Sequence, residues 1–278
     1  MAVQTMRYVD DLDGMDDFPL RPGLPWRRRK EAELLRTIAR GTMGVFGERG
    51  SGKDLFGMST AYCMKYYFGR PVLLDTLPKR AFGEYHLFDA AAMMREINKM
   101  AKAAGVEGIE NSQDQTEYDE FVGDATQKWV LEGEGYTLFR NAVWYLSELK
   151  RYCYKRNPHN KFNKFVGSIN AIVRHLDMLV IGTHVYENEI DKFTFMQYAQ
   201  IRAYCEWCMT RENTTKVRIR RMGYIGADIS LGNVEGKPLT IFVDGEQPRD
   251  ILGGKRFYDL WKSKNAVNLR PVLAKEMR

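Results

Sequence analysis

The chain has 278 residues, 44% hydrophobic and 28% charged, so a sizeable core is available and wholesale disorder is excluded. Lysine and arginine number 42 against 36 acidic residues, a net charge of +6 and a pI near 9.0, which is a modest lean towards polyanionic partners. No uncharged apolar run of about eighteen residues occurs, and the acidic start (Asp10, Asp11, Asp13, Asp16, Asp17) lacks the basic-then-apolar order of a secretory signal, so no membrane-spanning segment and a cytoplasmic location are expected.

Residues 1–40 read as an N-terminal tail and a lead-in helix. The prolines of "PLRPGLPW" forbid a regular element, and Leu34, Leu35 and Ile38 then fall at helical spacing before Gly41. The run Arg27 to Lys30 suits a phosphate backbone, but equally the solvated start of a helix. From Thr42 short apolar runs alternate with longer helical ones. "TMGVF" (42–46) predicts a strand, "DLFGMSTAYCMKYYF" (54–68) a helix stopped by Gly69, and "PVLLD" (71–75) the next strand. Strand–helix–strand order implies a parallel sheet with right-handed crossovers.

"DAAAMMREINKMAKAAG" (89–105) predicts a helix capped by Asp89, and 106–135 a polar, exposed insertion. A strand is expected at "YTLF" (136–139), helices at 142–156 and 163–175, and an apolar strand at "DMLVIGTH" (177–184). Strands follow over 202–211, 216–225 and 239–245, with an irregular C-terminal arm at 251–278. Cys205 and Cys208 spell C-x-x-C on a predicted strand, where they point to opposite faces; without a second ligand pair they read as packing residues.

The stretch "GVFGERGSGKDLFG" (44–57) carries the chemistry. Gly47, Gly50 and Gly52 let the backbone curl so that the amides of Gly47, Glu48, Arg49, Gly50, Ser51, Gly52, Lys53, Asp54 and Leu55 can face an anion. A helix opens there with its positive dipole end, and Lys53 supplies a cation. The pattern predicts binding of a nucleotide polyphosphate such as ATP. A serine or threonine would ordinarily follow the lysine and hold Mg2+. Asp54 stands there instead, either as a metal ligand or as an acid favoured by the helix dipole.

With "GRPVLLD", "FGEY", "VRHLDMLVIGTHVYENEID" (173–191) and "FYDLWKSKN" (257–265), this loop resembles the viral ATPases grouped with the zonular occludens toxin domain. More distantly it is similar to FtsK–HerA and terminase motors. The resemblance covers roughly 42–265. It implies an α/β P-loop NTPase domain over 41–250 with a mainly parallel sheet flanked by helices, using ATP and Mg2+. It further implies a homo-oligomer coupling hydrolysis to packaging of double-stranded DNA or to virion assembly with a capsid protein, in the host cytoplasm or on the virion. The same fold could serve as a catalytically degraded binding or regulatory protein; a kinase-like phosphotransferase is a third reading.

The resemblance places an acidic pair after 136–139, where Arg140 and Asn141 stand. Glu132, Glu134 or Glu148 could act as surrogate. Thr183 and His184 occupy the sensor position, and Arg174, Arg202 and Arg211 are arginine-finger candidates. Two basic stretches could meet nucleic acid. In the first, Lys155, Arg156, Lys161 and Lys164 are interleaved with Tyr152, Tyr154, Phe162 and Phe165; in the second, Arg218 and Arg220 share one face of a strand. Buried aromatics with solvated lysines is the alternative for the first.

Overall fold

The computed structural model describes residues 38–75, 86–87, 95, 123–156, 161–209, 214–224, 231–233 and 239–244. The tail and lead-in helix before residue 38, most of the expected helix at 89–105, residues 106–122 and the C-terminal arm lie outside the described residues.

The fold is α/β. Six strands run parallel in the order β3-β2-β4-β5-β1-β6: β1 is Gly41–Phe46, β2 Val72–Leu74, β3 His86–Leu87, β4 Val143–Leu146, β5 Leu179–His184 and β6 Ile201–Trp207. Beyond β6 the sheet turns antiparallel through β7 (Thr214–Tyr224), which pairs with β8 (Leu231–Asn233) and β9 (Leu239–Asp244). β1, β4 and β5 are buried at every position, as parallel strands covered on both faces must be, and so read as unbroken apolar runs.

Helix α1 (Lys53–Phe68) covers one face, packing with Met43, Val45, Tyr145, Ile181 and Val217. It ends at Gly69, whose left-handed φ of 67° closes the C-terminus. The other face is covered by α2 (Glu134–Phe139), α3 (Lys161–Ile172) and a π-turn at Lys192–Met196. There Trp144 sits edge-on between Phe139 and Phe165, with ring centroids 5.7 and 5.8 Å away. Thr42 donates to Asn170, whose amide donates to the Thr194 carbonyl, tying β1, α3 and the π-turn together.

Below the sheet, at the N-terminal ends of the strands, the fully buried Arg70 donates to the carbonyls of Ala39, Asn141, Ala142 and Asp177. One guanidinium thus fastens the starts of β1, β4 and β5.

Three sequence expectations change. Residues 136–139 are helical, in α2, and the "VWYL" expected inside a helix is β4, followed by a 3-10 turn at Leu149–Arg151. A four-residue strand buried on both faces has no period to distinguish it from a helical segment. The expected exposed insertion is not exposed throughout: residues 123–132 are helical and bury Ala125, Thr126 and Val130. No helix among the described residues is long and apolar enough to cross a membrane.

Candidate functional site

In a parallel sheet ligands gather at the C-terminal strand ends, where the loops converge. That edge carries the loop after β1, Asp75 after β2, Ser147-Glu148 after β4 and Thr183-His184 closing β5. β4 being a strand moves the expected acid position from Arg140-Asn141, which precede β4 at the opposite edge, to Ser147-Glu148. Glu148 therefore stands at the loop by topology, whereas Glu134 opens α2, which ends at the edge opposite the loop.

The loop has the conformation its glycines allow. Ser51 N–H donates to the Glu48 carbonyl at 3.1 Å, and Gly52 opens α1 at φ 85° with no side-chain cap. A glycine cap leaves the first-turn amides of Lys53, Asp54 and Leu55 without side-chain acceptors, aimed along a positive dipole end. At Gly52 a Cβ would fall on the Thr215 hydroxyl of β7, and at Gly47 on Ser51 and the Cys205 carbonyl, so both positions need glycine for close approach. Ser51 Oγ is buried with no hydrogen-bond partner among the described residues.

Lys53 is 5% exposed and its Nζ pairs with Asp54 Oδ2 at 3.1 Å. The other Asp54 oxygen accepts from Thr183 Oγ1 at 2.7 Å and from the Tyr145 hydroxyl at 3.3 Å. Burial first, then the charge of Asp54, pushes the Tyr145 phenol well above its ordinary value, so it remains a donor. Thr183 also accepts from the Glu148 amide at 3.4 Å.

Glu148 has a left-handed φ of 54°, rare for a residue with a side chain. Its Oε2 lies 3.5 Å from His184 Nδ1, while His184 Nε2 is 2.9 Å from Glu189 Oε2. The contact with His184 is the largest influence on the Glu148 carboxyl; burial opposes it, and Lys53 adds to it. The net effect holds Glu148 below its ordinary value and ionised at neutral pH.

Two residues that sequence reasoning missed complete the rim. Asp75 accepts from Ser147 N–H at 2.9 Å, Ser147 Oγ at 3.3 Å and the Tyr152 hydroxyl at 2.9 Å. Burial still raises its carboxyl to about 7, the three donors offsetting only part of the cost. Tyr145 is the second. The signal for Asp75 was present in "PVLLD", an apolar strand ending in an acid; nothing in the sequence pointed Tyr145 at Asp54.

Beside the loop an open groove of about 1370 Å³ runs over β6 and β7, lined by Arg49, Lys155, Arg202, Arg218 and Arg220 among others. Register pairs Arg202 with Arg220 and Tyr204 with Arg218 on its floor. Arg202 is ion-paired to Glu187 and Arg218 to Glu206, while Arg220 is exposed over the Tyr204 ring. Tyr186, Phe193 and Trp207 on its walls are 56%, 70% and 55% exposed.

The first basic stretch separates differently from the stacking expectation. Tyr152, Phe162 and Phe165 are buried in the core, Lys155 and Arg156 are exposed, Lys164 is half-buried, and Lys161 opens α3. Of the finger candidates, Arg174 precedes β5 at the opposite edge, Arg202 lies in the groove, and Arg211 is outside the described residues. Cys205 and Cys208 are both buried, and burial pushes the Cys205 thiol up, as suits packing residues.

No family model and no curated protein sequence matches the chain. Among solved structures, the N-terminal domain of zonular occludens toxin from Neisseria meningitidis is similar at 10% identity over 81% of this chain and all of that one, with a TM-score of 0.43. A second solved structure, also of an ATPase domain, is similar at 15% identity over 76% of this chain and 85% of that one, with a TM-score of 0.40.

Proposed function

We infer that the chain is a nucleotide-binding ATPase that takes ATP and Mg2+ on residues 47–55 and hydrolyses the terminal phosphate. The observation that carries this reading is one convergence: uncapped α1 amides and the buried Lys53 meet the ionised Glu148 across Thr183 at one sheet edge. The residues present fit the ligands. The orphaned Ser51 hydroxyl and the α1 amides are donors awaiting phosphate oxygens, and Asp54 and Thr183 offer the hard oxygen donors that Mg2+ takes.

In this reading Lys53 reaches the β- and γ-phosphates and the loop amides fix their orientation. Glu148 polarises the attacking water and accepts its proton, and His184, braced by Glu189, holds that carboxylate in place. Thr183 links the two halves by touching both Asp54 and the Glu148 amide. The metal, when bound, neutralises charge developing on the phosphates.

The resemblance over 42–265 supports a finer reading, a homo-oligomeric motor of viral genome packaging or virion assembly acting in the host cytoplasm. The arginines and exposed aromatics of the groove suit a nucleic-acid backbone and its bases, with Lys155, Arg218 and Arg220 as contacts. A second reading has one observation in its favour. Ser147 stands where such ATPases carry a metal-holding acid, so the site could bind nucleotide without turning it over.

Hydrolysis measured with and without double-stranded DNA, in wild type, Lys53→Ala and Glu148→Gln, separates them. The motor reading expects turnover raised by DNA, lost in Lys53→Ala and reduced about 10²-fold or more in Glu148→Gln with nucleotide still bound. Binding without turnover in wild type establishes the second reading.

A further inference from the structure

The carboxylate at position 54 changes what the loop can accept. Asp54 is not a loose side chain. Two hydroxyls, Thr183 at 2.7 Å and Tyr145 at 3.3 Å, fix Oδ1, and the Lys53 ammonium fixes Oδ2 at 3.1 Å. The only acceptor of that ammonium among the described residues is therefore the neighbouring acid. Nearby, Ser51 Oγ is buried without a partner among the described residues and the α1 amides are uncapped, so the site lacks a ligand while its lysine is already neutralised.

We propose that Asp54 makes loading of the loop conditional on a divalent cation: the site takes a nucleoside triphosphate only as its metal complex and rejects the metal-free polyphosphate. The proposal rests on the nucleotide-binding reading above and deepens it.

The physical argument is one of charge. A metal-free triphosphate entering the loop brings anionic oxygens towards a carboxylate held rigidly in place, and like charges at contact distance repel. It also meets a lysine whose positive charge is compensated 3.1 Å away. With the hydroxyl usual at this position neither obstacle exists. A divalent cation removes both at once. It is attracted to the fixed carboxylate, which becomes its ligand, and Lys53 is released to the phosphates. Thr183 and Tyr145 keep the carboxylate aimed during the exchange.

Ser147 sharpens the point. At the end of β4 its amide and hydroxyl are both committed to Asp75, so the carboxylate aimed at the loop lysine comes from α1 and not from the strand end.

The test is calorimetric titration of the full chain with ATP, in Mg2+ and in EDTA, for wild type, Asp54→Asn and Asp54→Ser. Wild type is expected to bind metal-free ATP at least about tenfold more weakly than the magnesium complex. Both variants are expected to gain at least about tenfold in affinity for metal-free ATP over wild type. Asp54→Asn is isosteric, retains an acceptor for Thr183 and Tyr145, and carries the test if Asp54→Ser does not fold. Equal wild-type affinity for the two forms, or no gain in the variants, overturns the proposal and leaves nucleotide binding intact. No wild-type binding of either form overturns the nucleotide reading itself, and this proposal with it.

Discussion

At the scale of single residues, the candidate site is a set of positions where one atom decides. Gly52 combines a φ of 85° with a Cβ direction that runs into Thr215. Gly52→Ala is therefore expected to lower stability by about 1–3 kcal/mol and to weaken nucleotide binding, read by thermal melting and titration. Adding Thr215→Ala removes the collision but not the left-handed strain, so it restores only part of the loss. Glu148 is strained in the same region of backbone space, and its 54° φ is tolerated beside a histidine it touches, as residues at functional sites often are. The glycines and Lys53 were legible in the sequence because a phosphate loop imposes its needs on the backbone, and only a few residue types meet them. The partners of Asp54 were not legible, because Thr183 and Tyr145 reach it from strands that the chain brings together only through the sheet order.

Elements were legible in proportion to their length and punctuation. α1, closed by Gly69, and the six-residue strands β1 and β5 declared themselves. β4 did not, because "VWYL" is too short to show a period, and the misreading displaced the acid position by one element, from Arg140-Asn141 to Ser147-Glu148. The ends of β2 and β4 are joined through Asp75, whose carboxyl is raised to about 7 by burial from an ordinary 3.8. A raised acid binds a proton in the native state that the unfolded chain has already released. Stability therefore falls as the pH rises from about 4 towards 7, and the whole deficit persists above 7. Asp75→Asn keeps an acceptor for Ser147 and Tyr152 and cannot ionise. Its stability relative to wild type is expected to improve by up to about 3 kcal/mol between pH 4 and pH 8 in denaturant titrations. An unchanged difference across that range would mean that Asp75 titrates alike in both states.

For the whole molecule, the parallel sheet divides labour between its two edges. The upper rim gathers Lys53, Asp54, Asp75, Glu148 and Thr183; the lower edge has no such gathering among the described residues, only Arg70 with its four carbonyls. A parallel α/β sheet was foreseeable from the alternation of apolar runs. The antiparallel extension β7–β9 was foreseeable as strands but not as the wall behind the loop, since no local pattern says that Thr215 will touch Gly52. That buried guanidinium has a consequence for motion. Because it stitches three strands into one seam, the underside of the sheet behaves as a keel while the rim rearranges around its cargo. Backbone amides along the seam, those of Gly41, Val143 and Leu179, are expected to exchange with deuterium among the slowest in the protein, at rates indifferent to nucleotide, while amides between Gly47 and Leu55 slow on binding.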